Sequence, residues 1–544
     1  MKKHCFDRLF VFNIALVVLA FSVVPAFSQA GSDPAAKVIS ELQKQVKDLG
    51  EQLVSLERSS ADPYREIGAG VGYNPRAKYY EVPEGFPQID SRVRFIGNLR
   101  GTWKEMGIQY GERAGDLVVH VYRFALDYFK TKGMSEEKLQ AYMGRYKQQI
   151  EAYAPEMIEF MQGIASGVDW SATNPSKSDV LDDFEKIMLI NSFLDLDFFH
   201  PKDSLGEGLG PETYVSDLLG NPVTGACTGI ALSGKSRGQL LSPTKNGETI
   251  VTNHYDLARF VPLIWSIAYV ATPSDPKAHV YWSINPAGIV GSQNLSTNVQ
   301  GVTIGSFFGG QSEDDAYGFG VIHPVLELHA LVYANTAQEA VQMMVFGNEA
   351  YRKKTGRAKV LQTGLWGYLV ADKNEVMVLE VTPNRHAVRY PGDMGEKGNY
   401  VIFANWYGAK YYYDEKNMRV EKPIGVQPPE FPERYWTFDW FIKYHFGQLD
   451  SDLVKEAQCS MYYFDKDTGQ RIDNLEGTSL PLFIGMHTIS AYWGAALGLD
   501  IGGTIHAAQV VLSPSGRTRI DWVQGRPSEW VGPWQTVDFY GYQK

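Results

Sequence analysis

The sequence predicts an α+β fold in which packed antiparallel sheets are covered by helices. Two textures and one absence predict it. From about residue 92 to 226, apolar residues recur near every 3.6 positions, the period of an amphipathic helix. From about 220 onward, short β-rich runs alternate with turns of Gly, Asn, Asp and Pro. No internal repeat runs through the 544 residues, which excludes a solenoid or propeller. A length prior of roughly 100–200 residues per domain suggests three or four domains, and one or two large ones fit as well. The charge balance of 51 − 62 = −11 argues against nucleic acid as a partner. A composition 44% hydrophobic and 21% charged excludes a disordered chain.

The N-terminus reads as an address. Lys2, Lys3 and Arg8 precede an almost wholly apolar stretch from Leu9 to Val24. Ser28 and Ala30 then stand at −3 and −1 to a cut before Gly31. This is the pattern of a secretory signal peptide over residues 1–30, which predicts a secreted or periplasmic protein. The apolar run is shorter than the roughly 20 residues of a membrane span. An uncleaved anchor is the alternative; no stable membrane insertion is expected once the signal is removed. Export leaves Cys227 and Cys459 of the three cysteines, enough for one disulfide.

Residues 31–60 read as a coiled-coil helix. Ile39, Leu42, Val46, Leu49, Leu53 and Leu56 alternate at spacings of 3 and 4. The seam over residues 35–58 suits either a homo-oligomerising stalk or a helix docked on its own domain. Residues 61–226 form a mainly helical segment, with helices expected at 114–132, 136–152, 155–166 and 178–195. Two glycine phrases, Gly97 to Gly111 and Gly163 to Gly167, allow close backbone approach. In residues 227–544, strands are expected at Thr249–Thr252, Gly301–Ile304, Gly367–Ala371, Val376–Val381, Tyr400–Ala404 and Ala507–Leu512. Helices are expected at 254–264, 336–356 and 435–446.

The chemistry concentrates around Cys227. Small residues precede it in Thr224-Gly225-Ala226-Cys227-Thr228, and the short apolar strand Gly229-Ile230-Ala231-Leu232 follows. The turn Asn246-Gly247-Glu248 leads to a second strand that ends in Asn253-His254-Tyr255-Asp256. Hairpin pairing of the two strands brings Cys227 near Asp256. A free thiol titrates near 8.5 and needs a base or a positive neighbour to attack a carbonyl. One solution is a histidine. Another is a cysteine at a new N-terminus, whose α-amine has a reference value near 7.7–8.0. The second requires scission between Ala226 and Cys227, at the junction of the helical and sheet-rich parts. A packed core cysteine is the non-catalytic reading.

These phrases resemble the acyl-coenzyme A:isopenicillin N acyltransferase family of N-terminal-nucleophile (Ntn) cysteine hydrolases. The resemblance runs discontinuously from about 92 to 530. It is carried by Phe95-Ile96-Gly97 through Gly107 and Gly111, Gly163 to Gly167, Leu189-Ile190-Asn191, Ala226-Cys227-Thr228, Asn253 to Asp256, Gly288-Ile289-Val290-Gly291, Asn298-Val299-Gln300-Gly301 and Phe403-Ala404-Asn405-Trp406. Choloylglycine hydrolases and phospholipase B-like proteins are more distant relatives. The resemblance implies a four-layer αββα sandwich, self-cleavage between Ala226 and Cys227, and a catalytic chain 227–544. It implies Cys227 as nucleophile, its α-amine as general base, and Asp256 and Asn405 as orienting groups. Asn298 matches the oxyanion donor. The stretch after Gly291 is two residues longer than in the family, so the match can slip to Asn294. His254 stands where relatives carry Asn, with Asn253 shifted by one; Asn253, His254 and Asn294 are candidate substrate-binding residues.

Other motifs carry less. Asp500-Ile501-Gly502-Gly503-Thr504 resembles a sugar-kinase phosphate loop, but only 40 residues follow it. Gly68-Ala69-Gly70-Val71-Gly72 lacks the strand and helix of a dinucleotide site. His323 and His329 read as core or pocket histidines, and no zinc pattern is present. No cofactor or metal is expected. The expected activity is hydrolysis of a linear acyl amide, or transfer of its acyl group. The same-fold alternative is a phospholipase B-like ester hydrolase. The alternative of another class is a catalytically silent, coiled-coil-tethered binding protein.

Overall fold

A computed structural model describes residues 93–131, 133–173, 180–199, 227–258, 266–291, 294–309, 318–425, 433–458, 463–472, 492–493, 502–524 and 534–539. The expected signal peptide over 1–30, the expected coiled coil over 31–60, Ala226 and Cys459 lie outside the described residues. Before Cys227 the chain forms strand β1 (Arg94–Gly101) and helices α1 (Trp103–Thr131), α2 (Glu136–Tyr153), α3 (Pro155–Gly167), α4 (Asp183–Asn191) and α5 (Phe193–Phe199). Each start has a local cause. Ser135 caps α2 by accepting from Lys138 N at 3.2 Å. Pro155 opens α3 with its fixed φ. Asp182 and Glu185 form a reciprocal capping box on α4.

The predicted glycine approach is present. A Cβ on Gly107 would lie 2.2 Å from Phe160 O, and one on Gly163 2.2 Å from Lys104 O. Gly111 and Gly167 meet the facing backbone in the same way. Helices α1 and α3 therefore cross with their backbones in contact, which only residues without a side chain allow.

After Cys227 come β2 (Gly229–Leu232), β3 (Thr249–Ala258), β4 (Ser266–Pro273), β5 (Tyr281–Pro286), β6 (Leu295–Asn298) and β7 (Thr303–Phe308). Helices α6 (His323–Tyr333), α7 (Ala337–Phe346) and α8 (Glu349–Thr355) follow, then β8 (Trp366–Ala371), β9 (Val376–Val381), β10 (His386–Arg389), β11 (Tyr400–Phe403), β12 (Tyr412–Tyr413) and β13 (Arg419–Val420). The chain continues with α9 (Glu433–Tyr444), α10 (Ser451–Gln458), β14 (Tyr463–Phe464), β15 (Arg471–Ile472), β16 (Tyr492–Trp493), β17 (Gly502–Leu512), β18 (Thr518–Gln524) and β19 (Gln535–Asp538).

The strands form two large sheets. One runs β1-β4-β5-β6-β7-β8-β9-β10-β12-β13, antiparallel except for the parallel pair β1 and β4. The other runs β11-β2-β3-β17-β18-β19, with β16 beside β17. They face each other: Trp282 of β5 lies 5.6 Å from Trp522 of β18, and Phe307 of β7 lies 5.4 Å from Phe403 of β11. Helix α1 packs on the first sheet, where Tyr110 meets Tyr269 of β4 at 5.5 Å. Helices α9 and α10 cover the second sheet, where Tyr435, Phe438, Phe441 and Val454 share a core with Ile230, Leu232 and Ile250. The layers are thus helix, sheet, sheet, helix. Among the described residues no helix is long and apolar enough to cross a membrane.

Five elements depart from the sequence reading; helix α1 begins at Trp103, well before the expected 114. The helix expected at 254–264 is strand as far as Ala258, because β3 pairs with β17 from Thr249 to Ala258. The helix expected at 178–195 breaks at Ser192 into α4 and α5. The span 336–356 divides at Gly347, whose φ is +62°, into α7 and α8. Strand β1 lies inside the region read as helical and becomes the edge of the larger sheet, so the segment before Cys227 is part of the sandwich. Replacing Gly163 with Leu is expected to cost more than about 3 kcal/mol by overpacking a backbone contact. Urea unfolding checks this; wild-type stability would contradict the close crossing.

Candidate active site

Cys227 stands at the head of β2. The residue after it is fixed by backbone pairing: Thr228 N donates to His254 O at 3.3 Å, and His254 N donates to Thr228 O at 2.8 Å. Side chains alternate along strands. Cys227, Ala231, Val251 and Tyr255 accordingly enter the main core with residues of both sheets, while Ile230, Leu232 and Ile250 pack under α9. The Cys227 side chain is 4% exposed and forms no disulfide. Its Sγ donates to Asp256 O at 3.6 Å, so the hairpin brings Cys227 and Asp256 together.

Arg434, in the first turn of α9, ties the surrounding groups. Its Nη1 donates to Cys227 O at 3.2 Å and to Thr228 Oγ1, and its Nη2 donates to Asn405 Oδ1 at 3.3 Å. The Asp256 carboxylate lies 3.8 Å from the same guanidinium. Asn405 has φ +64°, a left-handed conformation that Asn tolerates better than most residues. Its Nδ2 donates to Phe308 O at 3.1 Å, across to the other sheet. Asn405 is thus brought to the Cys227 cluster. Arg434 escaped the sequence reading; it is one of four charged residues on an aromatic-rich helix, and nothing in its local sequence sets it apart.

The electrostatics hold the thiol neutral. Burial pushes Cys227 up to about 12, the Asp256 charge adds to the rise, and a hydrogen bond from the backbone and Arg434 offset it in part. Among the described residues no histidine hydrogen-bonds to the sulfur. His506 of β17 sits nearby, 5.5 Å from the Tyr255 ring, with Nδ1 2.6 Å from Ser266 Oγ. Burial and the neighbouring His254 push it down to about 3, so it stays uncharged. Among the described residues the thiol of the unbroken chain therefore has no side-chain base.

The asparagines separate by position. Asn298 ends β6, where Nδ2 donates to Leu331 O at 2.7 Å and Ala334 O at 2.9 Å. Its Oδ1 accepts from Gln300 N at 2.9 Å and Val302 N at 3.0 Å. It closes the β6–β7 turn and has no N–H left for an oxyanion. Asn294 begins the same strand at its other end. Its carbonyl accepts from Asn253 Nδ2 at 2.6 Å, and Asn253 spans the two sheets to reach Ser306 O at 3.1 Å as well. Among the described residues neither polar atom of the buried Asn294 side chain has a hydrogen-bond partner. His254 is buried in β3, one residue from Asn253 and opposite Thr228.

Beside Tyr255 runs an apolar crevice lined by Val121, Phe124, Phe193, Leu194, Pro286 and Ile289, with about 20 Å³ of free space. That holds one water at most. His323 and His329 serve elsewhere: His323 Nδ1 lies 2.7 Å from Asp195 and its ring stacks on Trp366, while His329 Nδ1 lies 2.6 Å from Glu156.

No protein-family model matches the chain, and no curated protein sequence matches it. One solved structure it resembles is a mutant conjugated bile acid hydrolase from Clostridium perfringens. That likeness is 12% in identity with a TM-score of 0.28, over 58% of this chain and 93% of that one. A likeness at this level carries no functional argument.

The raised thiol gives a signed expectation. In an unbroken chain the neutral form dominates well past pH 9, so iodoacetamide alkylation of Cys227 should keep climbing with pH instead of levelling off there. A plateau below pH 8 would show an activating group that the geometry lacks.

Proposed function

We propose that this chain is the precursor of an exported Ntn cysteine hydrolase that cuts itself before Cys227 and then hydrolyses a linear acyl amide. The observation that carries the reading is a buried cysteine at the head of a central strand, with no side-chain base among the described residues, beside Asp256 and tied through Arg434 to Asn405. A packed core cysteine needs none of these polar neighbours, whereas a nucleophile needs groups that orient and activate it.

In processing, the Cys227 thiol adds to the Ala226 carbonyl carbon. The C–N bond to Cys227 breaks, leaving a thioester on the sulfur and a free amine on Cys227. Water then hydrolyses the thioester to the Ala226 carboxylate and the thiol. In turnover the amine accepts the thiol proton and the sulfur attacks the substrate amide. Asn294 Nδ2 donates to the oxyanion, the task first assigned to Asn298. The amine returns its proton to the leaving amine. Water, activated by the same amine, then releases the acid. Arg434 holds the Cys227 carbonyl and, with Asp256 and Asn405, fixes the nucleophile's direction. The aromatic and apolar wall beside Tyr255 favours an apolar acyl group, once space opens there. Coenzyme A is a poor donor for an exported enzyme, which favours hydrolysis over transfer.

Cys227→Ala should abolish both processing and hydrolysis of an N-acyl amine; retained activity would overturn the enzyme assignment. Faster turnover of a lysophospholipid than of the N-acyl amine would move the protein to the ester-cleaving alternative. Asn294→Ala should lower kcat about 100-fold, the worth of one oxyanion donor. Asn298→Ala should instead cost stability, about 1–3 kcal/mol for the buried groups it leaves unpaired. Steady-state kinetics beside urea unfolding separates the two.

A further inference from the structure

We infer that Asn191, with Tyr110, is a positioning residue for the reaction: it clamps the loop that delivers Asn294 and so sets the aim of the oxyanion donor. This rests on the reading of Cys227 and Asn294 given above.

The loop Ala287 to Gly291 connects β5 towards β6. Loops normally lie at the surface, where water satisfies their backbone. This one is buried, and side chains replace the water. Asn191, the last residue of α4 and fully buried, donates from Nδ2 to Gly288 O at 2.9 Å and accepts at Oδ1 from Val290 N at 2.9 Å. Its remaining N–H is anchored to Ile187 O at 2.8 Å, so the amide plane cannot turn. Tyr110 of α1 accepts from Gly288 N at 2.8 Å and donates to Ile289 O at 3.2 Å. Tyr269 of β4 donates to Val290 O at 3.1 Å. Gly288 has φ +93° and packs so tightly on Ile190 that a Cβ would come within 2.8 Å of Cδ1. Gly291 lies directly against the Pro324 backbone.

This is more restraint than a strand connection needs, and both Asn191 and Tyr110 belong to the segment before Cys227. The restraint has a chemical use. Neither polar atom of the Asn294 side chain has a hydrogen-bond partner among the described residues, so nothing polar there holds the amide in one direction. Its direction is inherited from its backbone, whose carbonyl accepts from Asn253 Nδ2 at 2.6 Å and Ser306 N at 3.1 Å, and whose chain leads back to the clamped loop ending three positions earlier at Gly291. Misplacing such a donor by about 1 Å costs on the order of 100-fold in rate. The segment before Cys227 therefore stays with the mature enzyme as half of its catalytic geometry.

The test uses the full-length protein as expressed, with N-decanoyl-p-nitroanilide as substrate and iodoacetamide as a probe that attacks the thiol without forming an oxyanion. Asn191→Ala should lower kcat about 10- to 100-fold. It should leave KM within about 3-fold and the alkylation rate of Cys227 unchanged. Tyr110→Phe should shift kcat in the same direction by a smaller factor, and it carries the test if Asn191→Ala does not fold. Wild-type kcat in a folded variant, or kcat and alkylation falling together, would overturn the clamp. Hydrolysis surviving in Cys227→Ala would overturn the underlying reading of the site instead, and the clamp with it.

Discussion

One buried guanidinium holds the site together. Arg434 is taken out of water, a state that costs several kcal/mol unless the charge is paired and its N–H groups are satisfied. It finds the Cys227 carbonyl, Thr228, Asn405 and the Asp256 carboxylate. These come from three different strands or strand ends, so the charge is satisfied only when β2, β3 and the turn after β11 are all in place. A second buried set supports it. Arg389 joins Glu380 to Glu396; Glu380 accepts from Gly408 N and Ala409 N, just past Asn405, and Glu396 accepts from Tyr435, the neighbour of Arg434. Removing one member would leave an unpaired charge beside the site.

The same frame holds the thiol neutral in the unbroken chain. Burial and Asp256 both favour the neutral form, and among the described residues no imidazole hydrogen-bonds to the sulfur. A protein that needed a reactive thiolate in the unbroken chain would be poorly served by this arrangement. One that acquires its base by freeing an amine loses nothing by it.

The helical first part, the sheet-rich second part and the Cys227–Asp256 approach were legible because each rests on local periodicity or on a hairpin between adjacent strands; the four-layer order was implied by the resemblance alone. The glycine phrases were legible as spacing; that Gly107 and Gly111 sit on a helix was not, since that helix was expected to begin only at 114. What escaped depends on partners distant in the chain. The run from Arg94 to Gly101 carries no strong alternation, and only pairing with β4 makes it a strand. The stretch after His254 is apolar enough for either a helix or a buried strand, and pairing with β17 decides it. Arg434 lies 207 residues from the carbonyl it holds. Spacing left Asn298 and Asn294 as alternatives; the hydrogen bonds that occupy the Asn298 side chain involve Leu331, Ala334, Gln300 and Val302 and could not be read from the motif.

The central claim is that one peptide bond, Ala226–Cys227, breaks by the chain's own chemistry and creates the base that the folded precursor lacks. Intact mass measurement with N-terminal sequencing of the purified, active protein tests it most directly. The account predicts a chain whose first residue is Cys227, accompanied by its tightly held N-terminal partner. Full activity in a single unbroken polypeptide would contradict it.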